Sequence, residues 1–440
     1  MNPHAPSERP PLPPSPPPAG GDPRPVHPQD RPQDWPRAWR AIFFLLVVLL
    51  VGRHGVLVAR TLALSDPVDM GAYYLHTRML WEGADPTDAG QLLAYGQRLG
   101  LRPLRGVNPP TYYFLFLPFA LLPWAAARVI WVLLSEAALW GIGWIAWREL
   151  KKRGVGPVEG ALGVAGFLAV FYPAQQSIAL GQVDVFLGLA AAAMGLALAR
   201  GRNTAAAILA LLAAGTKIQL GAVLVFLILA GRIRREIWAV LVLGAVWLAG
   251  VSAVFGPQAV SSYLHFIAAL SGKALDPDSV NYSLNGLLAR TLLPRAGPAI
   301  ANLTYTLLSA AVALFSLWVV FLRRRPGELG HWLWVGFLFL AVWMISPFSE
   351  EHHLTWVLAP LLIACVQWAP RVGRVQAALF VSAIALIGVQ YYPHTLWTKP
   401  DLLSELLRSS KFLGPAVLWS LSASALIGLR AASGDPEGGP

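Results

Sequence analysis

Four consecutive ionisable residues, Glu350, Glu351, His352 and His353, interrupt apolar sequence in the stretch ISPFSEEHHLTW, residues 345–356. Carboxylates and imidazoles this close could bind a metal, hydrogen-bond a substrate or cap a membrane helix. The spacing argues against zinc. Two helical ligands need positions i and i+4, whereas adjacent helical side chains point about 100° apart, so at most one imidazole enters a site. The single cysteine, Cys365, lies in an apolar run and supplies no ligand beside them. The expectation is therefore no metal, and hydrogen bonding of a sugar or phosphate by one histidine, His353 ahead of His352.

Lys217 poses a second chemical question. It interrupts the apolar run AAAILALLAAGTKIQLGAVLVFLILA. A lysine there is costly unless it pairs or reaches a polar boundary. It is either a turn residue snorkelling to solvent or a cation that holds a lipid phosphate at headgroup depth. The flanking runs, about 13 residues each, leave it slightly recessed.

A polar segment, residues 61–109, carries Asp66, Asp69, Glu82, Asp85 and Asp88 together with Tyr73 and Tyr74. Such a loop is either a solvated charged surface or the source of a general base for a hydroxyl nucleophile. If residues 69–81 are helical, Asp69 and Tyr73 share a face and Arg78 does not. Asp66 precedes Pro67 and reads as extended, and Asp85 precedes Pro86 and reads as a turn former. Neither a P-loop nor a dinucleotide-binding glycine motif is present, which disfavours a soluble nucleotide-sugar donor.

The elements that must position these groups are membrane helices. Of the 440 residues, 56% are hydrophobic and 13% charged, against roughly 25% charged in soluble proteins. The chain reads as an all-α polytopic membrane protein. Its net charge of +11 lies mostly in short clusters between apolar runs, where basic residues set topology rather than bind nucleic acid. These are Arg37 with Arg40, RELKKR (148–153), ARGR (199–202), GRIRR (231–235), RRR (323–325) and Arg371 with Arg374. Taken as cytoplasmic turns, they give about twelve spans with both termini inside. The Pro-bounded stretch 111–122, roughly 18 Å as helix, is too short to cross and reads as an outer juxtamembrane helix. Residues 1–36 form a Pro-rich cytoplasmic tail without a core, 37–430 the membrane domain, and 431–440 a short flexible tail.

This layout collects the first loop, Asn108, GQVD (181–184), Lys217, NYSLNG (281–286) and SPFSEEHH (346–353) on the outer face. A transporter or flippase of a lipid-linked sugar would instead place ionisable groups mid-membrane on opposed helices. Only Arg53 and His54, in the outer half of the first span, fit that pattern.

Several motifs in the same order resemble glycosyltransferase family 87, membrane enzymes of the GT-C superfamily that use polyprenyl-phosphate sugars, typically mannose. They are VDMGAYYLHTRMLWEGADPTD, NPPTYYFLFLPFALLP, GQVDVFLGLAAAAMGLALARGR, GTKIQLGAVLVFLIL, NYSLNGLLAR and SPFSEEHHLTW. The chain departs from the family pattern at Gln219-Leu220, where a proline is usual, at Glu350, where an aromatic is common, and at Thr87-Asp88. The resemblance implies an inverting hexosyltransferase of the plasma membrane, without a cofactor, acting on a glycolipid or glycan acceptor at the outer face. Asp69 would be its catalytic base and Lys217 its donor-phosphate ligand. His353, His352, Glu351, Gln182, Asn281, Tyr73 and Asn108 would contact sugar or acceptor.

Overall fold

Inside a bilayer every backbone N–H and C=O must be satisfied within the protein, so long apolar runs fold as helices. The computed structural model describes residues 37–64, 67–104, 108–271, 275–322, 328–367, 373–390 and 401–433. The Pro-rich tail, Asp66, the 323–325 cluster, Arg371 and residues 391–400 and 434–440 lie outside them. Residues Leu46–Pro440 form one unit, and every contact below lies within it. Of the preceding unit, Met1–Leu45, the described residues are the first turns of α1.

Among the described residues all regular structure is helical. Helix α1 (Arg37–Leu64) leads to three short helices, α2 (Val68–Trp81), α3 (Ala89–Leu99) and α4 (Pro110–Ala120). Then follow α5 (Trp124–Lys151), α6 (Pro157–Val170), α7 (Tyr172–Leu180), α8 (Asp184–Ala199), α9 (Asn203–Thr216), α10 (Gly221–Leu229), α11 (Ile237–Phe255) and α12 (Pro257–Ser271). The remainder are α13 (Leu284–Thr291), α14 (Leu293–Leu322), α15 (Glu328–Ile345), α16 (Leu358–Gln367), α17 (Arg374–Gly388), α18 (Leu402–Arg408) and α19 (Ser410–Ser433). A 3-10 turn, Glu351–Val357, runs directly into α16.

Among the described residues, five helices are long and apolar enough to cross a membrane, α1, α5, α11, α14 and α19. A sixth span results if α6 and α7, bent by 55° at their junction, count as one. The chain is thus an all-α membrane protein, with fewer full-length spans than the twelve expected. The difference lies in short apolar helices such as Asp184–Ala199, Asn203–Thr216 and Gly330–Ile345. Their shortness follows from where polar residues fall. Asp184 opens α8 and Lys217 caps the end of α9, so the site groups sit at helix ends rather than along apolar shafts.

The centre of the core is α15, whose Trp332, Trp334, Phe337, Phe339 and Trp343 are all buried. It packs on α8, α14 and α19, and α8 also packs on α5 and α9. Burial of several large aromatic side chains on one helix makes α15 the fixed frame for the loop that follows it.

Candidate active site

Asp69 stands in the first turn of α2, with Tyr73 one turn on. Their partner is Gln182, beyond the end of α7. Tyr73 Oη donates to Gln182 Oε1 at 2.5 Å, and the Gln182 side chain also hydrogen-bonds the Asp69 carboxyl. One amide therefore uses its acceptor on the tyrosine and its donor on the aspartate, which fixes both. The approach depends on Gly181, a left-handed helix cap with φ 72°. A Cβ there would lie 2.5 Å from Met70 Cβ and 2.9 Å from Pro67 Cβ. Only glycine lets α2 press onto this turn. Gly181→Ala should therefore push Asp69 away from Gln182. We expect a loss of about 1–2 kcal/mol from the backbone alone, read as a lower melting temperature, with a larger fall in turnover than in donor binding.

Burial pushes the Asp69 carboxyl up to about 6, with the bond from Gln182 and the charge of Lys217 pulling down and that of Asp184 pushing up. The causes identify its neighbours. Lys217 and Asp184 are close enough to act on it.

Lys217 does not snorkel to solvent. It is 5% exposed, and its Nζ lies 3.0 Å from Asp184 Oδ1 and 3.1 Å from Oδ2. Asp184 is fully buried. It accepts a second bond from Trp356 Nε1 at 2.6 Å, and His352 Nε2 lies 3.6 Å from its Oδ2. The Lys217 ammonium is also 5.7 Å from the Trp356 ring centroid. Its position at the first helical residue of α8 suits the carboxylate, because the helix N-terminus carries positive potential. The contact with the 3-10 turn is made by Gly188, where a Cβ would lie 2.7 Å from the Thr355 carbonyl oxygen.

The loop between α15 and the 3-10 turn is tied on both sides. Ser349 Oγ donates to the Trp343 carbonyl at 2.8 Å, Trp343 Nε1 to the Glu350 carbonyl at 3.2 Å, and the Tyr282 N–H to the Ser349 carbonyl at 2.7 Å. Asn281 is the knot. Its Oδ1 accepts from Ser283 Oγ at 2.8 Å and from the Ser349 N–H at 3.2 Å, and its Nδ2 donates to the Pro347 carbonyl at 3.0 Å. With 0% exposure, this amide is engaged within the protein. It shapes the loop, in contrast to the direct sugar contact that the sequence analysis assigns it.

Glu351 also differs from the expected sugar contact. It is 2% exposed and paired with Lys411 Nζ at 3.0 Å. The pair locks the start of α19 to the 3-10 turn, because separating either partner would strand a buried charge. Asn108 is buried and hydrogen-bonds the Tyr73 hydroxyl, extending the Gln182–Tyr73 chain.

Both histidines face the cluster, where the sequence analysis expects one at most. Their rings meet edge to face at 4.5 Å. Each offers a ring nitrogen that, with an Asp184 oxygen, forms a group within 4.8 Å. The stretch is a 3-10 turn, in which residues three apart eclipse, so His353 lies over Trp356. His353 stacks on Trp356 at 4.9 Å, and its Nδ1 accepts the Glu350 N–H at 3.4 Å. Its Nε2 thus carries the proton. By geometry Asp184, His352 and His353 could hold a metal ion. However, the Lys217 ammonium already sits on Asp184, and a second cation beside it would be repelled.

Two groups in this cluster escape the sequence selection. Asp184 has a signal: a carboxylate at the head of an apolar helix requires a cation, and Lys217 is an isolated charge in another apolar run. Glu350 had none. Burial pushes its carboxyl up to about 8, reinforced by the charges of Asp69 and Asp184 and opposed by that of Lys217. Its Oε2 lies 3.5 Å from His352 Nδ1.

The arrangement therefore joins a carboxyl poised near neutrality, a buried lysine and two imidazoles, contributed by α2, the α7–α8 turn, the end of α9 and the 350–356 stretch. No curated protein matches the chain. The profile of glycosyltransferase family 87 matches residues 107–347. Because that match covers more than half of the chain and contains Lys217, Asp184 and Gln182, the protein belongs to glycosyltransferase family 87.

Proposed function

We propose that the protein is an inverting hexosyltransferase that takes its sugar, mannose in the first instance, from a polyprenyl phosphate. The single observation that carries this reading is the placement of Asp69 beside a buried lysine, with Gln182 between the α2 residues and the α8 turn. Asp69 removes the proton of an acceptor hydroxyl. The oxygen attacks the anomeric carbon as the bond to the phosphate oxygen breaks, and polyprenyl phosphate leaves with that electron pair. Lys217, held at depth by Asp184, meets the developing phosphate charge. A buried ammonium in a site of low dielectric serves this role far better than a solvated one. The His353 Nε2 proton and His352 orient the sugar. The acceptor is a glycolipid or glycan.

The test is transfer of radiolabel from polyprenyl-phosphate mannose in membranes containing the protein, screened over glycolipid and glycan acceptors. Label should appear in acceptor and not when a nucleotide sugar replaces the lipid donor. Transfer from the nucleotide sugar alone would sink the proposal.

Asp69 works as a base only when ionised. Since its carboxyl is raised to about 6, activity should fall as pH drops through that value. The Gln182 bond holds this pKa down, so Gln182→Met should move the acidic limb to higher pH. An unmoved limb would assign it to another group.

In the same reading the short apolar helices cross together with the long ones, giving twelve spans in the plasma membrane, both termini inside and the site outside. On a Cys365→Ser background, cysteines at exposed Lys151 and Ser279 should label from opposite sides of sealed vesicles. The transport alternative would draw on the His54–Glu136 pair between α1 and α5, 3.1 Å apart. His54→Gln should leave transferase activity standing.

A further inference from the structure

A cavity of about 220 Å³ lies beside the site. Its wall includes His76 and Leu80 of α2, Asp85 and Thr87 of the following turn, Asn108, and Tyr113 of α4. The other side is closed by the α11–α12 junction, with Phe255, Gln258, Ser262 and Tyr263. Room for one pyranose ring, aromatic faces and several hydrogen-bonding groups occur together here, the combination that defines a small-molecule site.

The polar groups are arranged in advance. Asp85 Oδ1 accepts from the Thr87 N–H at 2.8 Å and Thr87 Oγ1 at 2.7 Å, and Oδ2 accepts from Ser262 Oγ at 3.0 Å. These bonds outweigh its burial and keep the carboxyl below its ordinary range, so it stays an acceptor at neutral pH. A carboxylate has about four lone-pair sites, so it keeps capacity for a ligand hydroxyl. His76 Nδ1 lies 3.0 Å from Tyr113 Oη, and burial holds this imidazole neutral, down at about 4.

Among the described residues lining the cavity there is no lysine or arginine. The Asp85 carboxylate in its wall repels a phosphate, and hence the lipid donor. The chemistry fits a neutral polyol. Position along α2 then identifies which one. Asp69, Tyr73 and His76 are at i, i+4 and i+7 and share one helix face. Two turns separate Asp69 from His76, about 10 Å along the axis, which is the span of two linked pyranose rings. Asn108 connects the two places, because it lines the cavity and bonds Tyr73.

We infer that this cavity is an acceptor subsite for an internal sugar of an oligosaccharide chain, whose terminal hydroxyl lies at Asp69. The inference rests on the transferase reading above and narrows its acceptor to a glycan longer than one residue. Asp85, Ser262 and His76 hydrogen-bond the internal ring, and Tyr113 or Tyr263 packs on its apolar face.

The probes are alkyl glycosides bearing one, two or three mannose residues, with polyprenyl-phosphate mannose as donor. For the unmodified protein, kcat/KM should rise about tenfold from the mono- to the trisaccharide, equivalent to one or two hydrogen bonds. Gln258→Trp fills the cavity from an exposed position, and Ser262→Ala removes one hydroxyl acceptor. Both should reduce the trisaccharide-to-monosaccharide ratio towards one. A second arm measures binding of the trisaccharide glycoside by saturation-transfer NMR without donor, using full-length protein in nanodiscs. It should be present in the unmodified protein and lost in Gln258→Trp. A ratio near one in the unmodified protein, or one unchanged in Gln258→Trp, overturns the subsite while leaving the transferase reading intact. Absence of donor-free binding, or binding kept in Gln258→Trp, also overturns it. Saccharide binding that Gln258→Trp abolishes, in a protein that uses no lipid donor, supports the subsite and overturns the donor assignment instead.

Discussion

Asp69→Asn should abolish sugar transfer while leaving the fold and donor binding in place. The substitution keeps the side-chain shape and removes the base. A sugar hydroxyl is a poor nucleophile at neutral pH, so its proton must leave as the new bond forms, a contribution of about 10²–10⁴ in rate. The replacement amide retains an oxygen that accepts from Gln182, so the Tyr73–Gln182 link is preserved. Loss of a partly buried charge removes a desolvation cost, so the melting temperature should hold or rise. Steady-state transfer and donor binding, measured together, check this. Asp85 is the control carboxylate, engaged with Thr87 and Ser262 away from the reacting centre. Normal turnover by Asp69→Asn, with Asp85→Asn inactive on a monosaccharide acceptor, would move the base to Asp85.

Lys217→Met should lower turnover by about 10²–10³, the usual loss when one charge-stabilising contact is removed. The ion pair complicates the reading. Asp184 is fully buried and loses its cation, and stranding one partner of a buried pair costs about 3–5 kcal/mol. A fall in activity by itself would not separate chemistry from misfolding. The double variant Lys217→Met/Asp184→Asn resolves them. It removes both charges, leaves an amide that still accepts from Trp356 Nε1, and should recover most of the melting temperature. Its activity should stay low, because the phosphate still has no cation. Recovery of activity with stability would make Lys217 a structural partner only.

The sequence by itself determined the class of fold and the short list of chemical groups. Composition, apolar runs and basic clusters are one-dimensional properties, because the bilayer demands helices of a given apolarity. The isolated charge at Lys217 and the helical phase of Asp69 and Tyr73 were legible for the same reason: each depends on neighbours within a few positions. The family motifs were legible as spelling.

What the tertiary structure decided is which groups face each other. Asp184 lies 33 positions from Lys217 and 172 from Trp356. Nothing in the local sequence of any of them says that they share a hydrogen-bonded cluster. Asn281 and Glu351 read as site residues in the sequence. Their partners, Ser349 and Pro347 for one and Lys411 for the other, turn them into ties that hold the site loop. The stacking of His353 on Trp356 depends on residues 351–357 winding as 3-10, where positions three apart eclipse, and the close approach of the turn to α8 depends on Gly188 beside the Thr355 carbonyl. Burial, which raises Asp69 and Glu350 towards neutrality, is likewise a property of the assembled helices. Desolvation depends on everything that surrounds a group, and the order of residues along the chain does not specify that environment.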